Sequence, residues 1–238
     1  VYNRHKALAY MQKIKIVISD CHLSGGMIFQ GQRNSHEDFF FDDEMVEFLG
    51  FFSSGDYGDQ CEVELIINGD FFDFLNIPFE GEFPDVITEK IALYKLECIL
   101  GGHPKVIDAF KLFVRQPGKT ITYNLGNHDA DMFFPKVRER FVREVDPQGR
   151  HPSPLVRVNY EQPHIDAGGG VYIEHGNNYE AVHVFSYQKP VLTEGLERPV
   201  LNIPWGSFYV LKIVNRFKWE REYVDKVRPI KAMFLWGL

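Results

Sequence analysis

Short apolar runs with the alternation typical of β-strands recur along the chain, and amphipathic stretches separate the earlier ones. Strands are predicted at residues 13–19, 63–67, 120–124, 155–160 and 171–174. Helices are predicted at residues 37–52, 88–100, 104–114 and 132–145. Residues 13–19 are apolar enough to form a central strand buried on both faces. Residues 155–160 alternate like an edge strand, and Gly168-Gly169-Gly170 marks a later hairpin turn. Alternating strands and helices predict an α/β fold.

Polar residues with metal-binding side chains follow four of these strand-like runs. The four groups are Asp20-Cys21-His22, Asn68-Gly69-Asp70 with Asp73, Gly126-Asn127-His128-Asp129, and His175-Gly176. Each group alone is equally typical of a polar turn, because Asn, Gly and Asp favour turns. Open α/β sheets bind ligands at the carboxyl ends of their strands, so the four groups together predict one shared site.

The side chains of this site predict the kind of chemistry it performs. Carboxylates, imidazoles and an amide suit Mn²⁺, Fe, Zn²⁺ or Mg²⁺. Asp20 and His22 stand at alternate positions of a strand end, so both can reach one ion. Asp70 can bridge to a second ion, and Asn127 and His175 can complete its ligands. Two ions so placed form a clamp for displacement at phosphorus, which predicts metal-assisted phosphoester hydrolysis.

Three other residues are assigned supporting roles at this site. His128 is predicted to act as a general acid that protonates the leaving group. Asp129 is expected to hold the His128 ring, and Asp73 is expected to position a metal ligand. The acidic cluster His36-Glu37-Asp38 is interpreted as the start of the helix at 37–52 rather than as a further metal group.

The four groups also resemble the successive motifs of a known enzyme family. Asp20-x-His22, Gly69-Asp70-x-x-Asp73, Gly126-Asn127-His128-Asp129 and His175-Gly176 are similar to those of the calcineurin-like metallophosphoesterases. The Phe-rich run that follows Asp70, and Tyr179 after His175-Gly176, look most like the bacterial branch related to UDP-2,3-diacylglucosamine hydrolase.

This resemblance implies a fold, a metal centre and a reaction. The implied fold is a four-layer β-sandwich flanked by helices, with two divalent metal ions, most commonly Mn²⁺, at the strand ends. Asp20 and His22 would bind one ion, Asp70 would bridge, and Asn127 and His175 would bind the other. The implied reaction is hydrolysis of a phosphomonoester, phosphodiester or pyrophosphate bond by a metal-bridging hydroxide, as in a UDP-diacylglucosamine pyrophosphatase-like activity.

The chain departs from the family at one point. The last family motif, Gly-His-x-His, is absent, and His183 is the histidine that follows His175. His183 lies in an apolar run and is interpreted as a core or surface residue rather than a ligand. We expect an incomplete metal site, because the chain is cut before the last motif or because the site has eroded. Residues 1–190 are predicted to form the core, and 191–238 a helical cap or interface segment that is cut short.

Composition narrows the expected partners and location. A formal charge of −7 over 238 residues argues against nucleic acid as a partner. The substrate that the metal chemistry and the resemblance imply is a phosphorylated small molecule or a nucleotide-sugar-lipid. Cys21, Cys61 and Cys98 have no metal-finger spacing and predict a reducing compartment, the cytoplasm. No apolar run approaches the roughly 20 residues of a membrane span. Contact with the surface of the inner membrane stays an alternative location. The competing hypotheses are a nuclease of the same fold and a catalytically inactive scaffold for protein partners.

Overall fold

A parallel sheet of four strands lies at the centre of the chain. The computed structural model describes residues 12–149 and 153–227, except for the side chain of residue 225. The strands are β1 (Gln12–Ile18), β2 (Ile28–Phe29), β3 (Gln32–Arg33), β4 (Cys61–Asn68), β5 (Lys119–Asn124), β6 (Val156–Asn159), β7 (His164–Gly168), β8 (Val171–Glu174), β9 (Val191–Leu192) and β10 (Val200–Leu201). The helices are α1 (Asp42–Phe51), α2 (Glu89–Gly102), α3 (Pro104–Arg115), α4 (Pro135–Val145), α5 (Trp205–Tyr209) and α6 (Asn215–Lys218).

Strands β1, β4, β5 and β6 lie side by side in that order, and each neighbouring pair is parallel. Parallel neighbours need crossover connections, and helices provide them: α1 joins β1 to β4, α2 and α3 join β4 to β5, and α4 joins β5 to β6. Strands that are added in chain order through right-handed crossovers place their helices on one face of the sheet. The structure is therefore of the α/β class, as the alternation of elements predicts.

The two faces of this sheet differ in polarity. On the face that packs against the helices, Val63, Leu65 and Ile67 of β4 are fully buried in the hydrophobic core. On the opposite face, Glu64 forms ion pairs with Lys15 of β1 and Arg157 of β6. Period-two alternation along β4 therefore places Val63, Leu65 and Ile67 in the core and Glu64 on the opposite face, where Ile66 is also buried.

Three sequence-based element predictions need correction. The first helix begins at Asp42 rather than at residue 37, because His36 and Glu37 make buried contacts of their own. The helix predicted at 132–145 is divided into a 3₁₀ turn, Ala130–Phe133, and α4, which begins at Pro135, a residue suited to a first helical turn. Residues 13–19 do not form a strand buried on both faces: β1 lies at one edge of the sheet, and none of its residues is buried. Residues 155–160 form an edge strand as predicted, since β6 is the other edge of the sheet, and the strand that pairs with β8 in the hairpin is β7.

The segment after β10 is helical and packs against the core. A π-helical turn, Val210–Val214, connects α5 to α6. The side-chain amide of the buried Asn215 donates to the Leu75 carbonyl at 2.7 Å, and the Asn215 carbonyl lies 2.9 Å from Nε2 of His36. Among the residues described, no helix is long and apolar enough to cross a membrane.

Candidate metal centre

The loops that follow β1 and β4 run side by side beyond the ends of the strands. The backbone N–H of Asp20 donates to the Gly69 carbonyl at 3.2 Å, and that of His22 donates to the Asp70 carbonyl at 3.0 Å. Parallel strands end at the same edge of a sheet, so these hydrogen bonds bring the first two predicted groups together. The loop after β5 joins them, because the N–H of His128 donates to Oδ1 of Asp70 at 2.8 Å.

The backbone is strained at three of these positions. Asp20, His22 and Asp70 have φ values of +55°, +55° and +51°, in the left-handed region that residues other than glycine seldom adopt. Each such residue costs of order 1–3 kcal/mol, which the surrounding hydrogen bonds must offset. Strain of this kind is concentrated at functional sites, and it supports a function for this edge of the sheet.

Two glycines allow the loops to approach closely. Gly69 has a φ of +82°, and a Cβ atom there would lie 2.6 Å from the His175 ring. A Cβ atom at Gly126 would overlap the Asp70 carboxylate. His175 arrives from the β7–β8 hairpin, outside the parallel sheet, and its Nδ1 donates to the Asn68 carbonyl at 2.8 Å. This hydrogen bond turns Nε2 of His175 towards Oδ2 of Asp70, at 3.2 Å.

Asp20, Asp70 and His175 form the first of two groups that could hold a cation. One ligand atom from each lies within 4.8 Å of the others. Burial alone would raise the pKa of Asp70, but the neighbouring rings of His128 and His175 outweigh it and lower that pKa to about 2. Burial alone would lower the pKa of His175, but the neighbouring Asp70 carboxylate outweighs this effect and raises that pKa to about 9. Binding of a cation here would release the His175 proton.

His22, Asp73 and His128 form the second group, with ligand atoms within the same 4.8 Å limit. Oδ2 of Asp73 lies 3.2 Å from Nδ1 of His22 and 3.0 Å from Nδ1 of His128. The His128 contact has the distance of an ion pair but not the angle of a hydrogen bond. The two rings meet edge to face, with centroids 4.6 Å apart. His22 was expected to share an ion with Asp20, whereas the structure places it with Asp73 and His128.

Asp73 is the carboxylate that pairs with His128. Its carboxylate also accepts hydrogen bonds from the N–H groups of Leu75 and Asn76 and from the Asn76 side chain, at 3.0–3.2 Å. Burial alone would raise the pKa of Asp73, but the rings of His128 and His22 hold it well below its usual range. The Asp73 carboxylate is thus held by hydrogen bonds from Leu75 and Asn76 and by contacts with the two histidine rings. The pKa of His128, which burial would lower, is raised to about 10 by Asp73 and Asp70.

Asp129 does not hold the His128 ring, so that expectation is wrong. Its carboxylate points into the core, where it accepts hydrogen bonds from the Tyr123 hydroxyl at 2.7 Å and from the Gly126 N–H at 2.6 Å. Burial and the nearby charge of Asp70 raise the pKa of Asp129 to about 7. Asp129 therefore shapes the loop that carries the site.

Asn127 lies where the sequence predicts it. It is 8% exposed, and its two neighbours in the chain, Gly126 and His128, both approach Asp70. The loop therefore brings Asn127 to the candidate centre. Its role as a ligand stays a prediction.

The cluster His36-Glu37-Asp38 has a different role from the helix start that the sequence suggests. Glu37 is buried and accepts hydrogen bonds from several groups, including the Gly26 N–H at 2.6 Å and Nε2 of His103 at 3.1 Å. Asp38 pairs with Lys218 and Lys226, both at 2.7 Å. The cluster therefore ties the loop after β1 to α3 and to the C-terminal segment. A helix start would leave such acids exposed.

A cavity of about 750 Å³ opens at the candidate centre. Asp20, His22 and His128 contribute to its polar wall. Another part of the wall is apolar and comes from the C-terminal segment, including Trp205, Tyr209 and Val210. A ligand in this cavity would meet both the polar groups and the apolar surface.

The donor set fits divalent cations. Carboxylate oxygens and imidazole nitrogens suit Mn²⁺, Fe, Zn²⁺ or Mg²⁺, and neither group contains a thiolate. Asp70 is buried at the centre, where an ion would neutralise the charges of Asp70 and Asp20. Comparisons with protein-family models, with curated proteins and with solved structures found no match.

Proposed function

We propose that this chain is a metal-dependent phosphoesterase of the calcineurin-like type. The observation that carries the proposal is the meeting of Asp20, Asp70 and His175, from three separate loops, beside the group of His22, Asp73 and His128. Two donor groups side by side, whose members are buried or half-buried except for the exposed Asp20, support a dinuclear centre. The two cations would supply Lewis acidity and a nucleophile at neutral pH.

We assign the remaining roles, cation binding and proton transfer, to individual residues of the chain. Asp20, Asp70 and His175 would hold one cation, with Asn127 close by, and His22 with Asp73 would contribute to the second. His128 lies beside the cavity, and Asp73 contacts it through Nδ1, which leaves Nε2 for the substrate. As the bond between phosphorus and the leaving oxygen breaks, His128 gives its proton to that oxygen, so the leaving group departs as an alcohol or a protonated phosphate.

The walls of the cavity support an ester with an apolar part as the substrate. Phe71, Phe72 and Phe74 could have lined a lipid pocket, but the structure buries all three in the core. The apolar wall is formed instead by the segment that contains Trp205 and Tyr209. This arrangement is compatible with a nucleotide-sugar-lipid substrate, as in the bacterial branch that the sequence resembles.

The proposal also includes the four-layer β-sandwich fold of this family. The calcineurin-like family has two packed sheets, and the sheet β1-β4-β5-β6 would be one of them. A second sheet would cover the face that carries Lys15, Glu64 and Arg157.

The decisive experiment measures hydrolysis of p-nitrophenyl phosphate and bis(p-nitrophenyl) phosphate with added Mn²⁺, together with Mn²⁺ binding by calorimetry. Wild type is compared with Asp70→Asn and with Asp108→Asn, a matched change at an exposed carboxylate that pairs with Lys111. We expect hydrolysis and Mn²⁺ binding in wild type and Asp108→Asn, and loss of both in Asp70→Asn.

Other outcomes separate the competing functions. Absence of both hydrolysis and binding with Mn²⁺, Mg²⁺, Zn²⁺ and Fe²⁺ would refute the proposal and favour a scaffold. Cleavage of the diester and of single-stranded DNA, with no cleavage of the monoester, would favour a nuclease.

A further inference from the structure

His183 lines the same cavity as Asp20, His22, Asp73 and His128, although it belongs to neither cation-binding group. It comes from the chain after His175, and the 3₁₀ turn Asn177–Tyr179 separates the two histidines. The sequence gives no role to His183 beyond that of a core or surface residue. Its place in the cavity wall calls for another explanation.

Hydrogen bonds on several sides fix the backbone at His183. Its N–H donates to the Glu180 carbonyl at 2.9 Å, and its carbonyl accepts from the side chain of the buried Asn177 at 3.0 Å. The preceding carbonyl, of Val182, accepts from the Gly206 N–H at 2.7 Å. These contacts join the turn after His175 to the first residues of α5.

The ring of His183 is held against the backbone of α5. A Cβ atom at Gly206 would lie 2.5 Å from both Cε1 and Nδ1 of the His183 ring. Glycine is therefore needed at this helical position, because a larger residue would displace the imidazole. The ring position depends on this close packing, and the side chain remains 31% exposed.

The environment of the ring selects the nitrogen that carries its proton. Nδ1 of His183 is buried and has no hydrogen-bond partner among the residues described. A buried N–H without an acceptor is costly, so the neutral ring is more stable with its proton on Nε2. Nε2 lies 3.6 Å from Oε2 of Glu180, which is within ion-pair distance but longer than a hydrogen bond, and the Glu180 side chain is largely exposed. Among the residues described, the Nε2–H group therefore has an ion-pair contact but no hydrogen-bond acceptor.

We propose that His183 is a substrate-binding residue whose Nε2–H donates a hydrogen bond to a phosphate-ester oxygen in the cavity. This inference rests on the proposed function, because the cavity is then the substrate site. The reacting phosphoryl group would bind the cations held by the two candidate groups, and His183 would hold an oxygen of the same ester from another part of the cavity wall. An imidazole N–H facing an anionic oxygen makes a charge-assisted hydrogen bond, which is stronger than a neutral one.

The test compares His183→Phe, which keeps a ring but removes the donor, with His183→Gln, whose side-chain N–H can replace Nε2–H. Both are assayed for kcat and KM with p-nitrophenyl phosphate and Mn²⁺, and for inhibition by inorganic phosphate. In His183→Phe we expect KM and the phosphate inhibition constant to rise about tenfold or more, from the size of a hydrogen bond to a charged group. We expect kcat to change far less, and His183→Gln to recover most of the loss.

Two further variants separate a binding role from a folding defect. Gly206→Ala should raise KM as His183→Phe does, because its Cβ would displace the ring. His164→Phe is the control: His164 stacks on Tyr172 in the β7–β8 hairpin, and its replacement should leave KM unchanged. Mn²⁺ affinity should be the same in all variants. Unchanged KM and phosphate inhibition in His183→Phe would overturn the inference.

The outcome also distinguishes this inference from the proposed function. If wild type hydrolyses no ester, the proposed function fails, and calorimetry with Mn²⁺-loaded protein and inorganic phosphate then decides the role of His183. Phosphate binding that is weaker in His183→Phe would support the role. Equal binding in both proteins, or no binding in wild type, would overturn it.

Discussion

Replacement of Gly69 by Ala tests the close approach of the His175 ring to the backbone in the candidate metal centre. Gly69 has a φ of +82°, and an added Cβ would lie 2.6 Å from the His175 ring and 2.9 Å from Cα of Gly126. A left-handed conformation costs Ala about 1–2 kcal/mol, and a forced contact in a packed site costs about 1–3 kcal/mol more. We therefore expect the free energy of unfolding to fall by about 2–5 kcal/mol, from the sum of these two costs. Mn²⁺ affinity should also fall, because His175 must move away from Asp70.

The chain offers a matched control at Gly81. This glycine has nearly the same φ, +83°, but an added Cβ would meet no atom within 4 Å. Gly81→Ala should therefore show the conformational cost alone, about 1–2 kcal/mol, with Mn²⁺ affinity unchanged. Urea unfolding and calorimetric Mn²⁺ titration of both variants provide the measurement. Equal stability losses with equal Mn²⁺ affinities would refute the reasoning that Gly69 exists to admit His175.

Two more predictions concern buried charges. Burial opposes charge on His103, but Glu37 at 3.1 Å and a second carboxylate hold the pKa of His103 above 6.5. The charged ring thus stabilises the fold below pH 6.5, and this contribution is lost as pH rises through the raised pKa. The difference in unfolding free energy between wild type and His103→Gln should therefore be smaller at about pH 9 than at about pH 6. Lys218 and Lys226 both pair with Asp38 at 2.7 Å, but Lys218 is fully buried and Lys226 is 48% exposed. Lys218→Met should lower the free energy of unfolding by about 3–5 kcal/mol, and Lys226→Met should lower it by less than about 1 kcal/mol, as measured by urea unfolding. Equal losses in the two variants would contradict the argument from burial.

The parts of the site that could be predicted are those that follow from strand periodicity. Asp20, Asp70 and Asn127 come directly after strands of one parallel sheet, and such strands all end at the same edge. The apolar runs before them identify the strands, so position in the sequence is enough to bring these residues together. The same argument predicts the α/β class.

Strand periodicity in the sheet does not explain how His175 reaches the site. It follows a strand, but that strand belongs to the β7–β8 hairpin and not to the sheet. What brings His175 to Asp70 is a hydrogen bond to the Asn68 carbonyl and the missing side chain at Gly69. Tertiary contacts of this kind have no periodic signal in a single sequence. The strand pattern predicts His175 at the shared site on the premise that its strand joins the sheet, and that premise is wrong although the residue does reach the site.

The exchange of roles between Asp73 and Asp129 shows how burial decides among similar carboxylates. Asp129 is adjacent to His128 in sequence, which suggests that it holds the ring. However, Tyr123 is completely buried, and a buried tyrosine hydroxyl needs a hydrogen-bond partner. Asp129 supplies that partner at 2.7 Å, so its carboxylate faces the core and Asp73 is left to contact His128. In the sequence, Tyr123 on the strand before the motif is a residue that bears on this choice, because its hydroxyl needs a partner once the strand is buried.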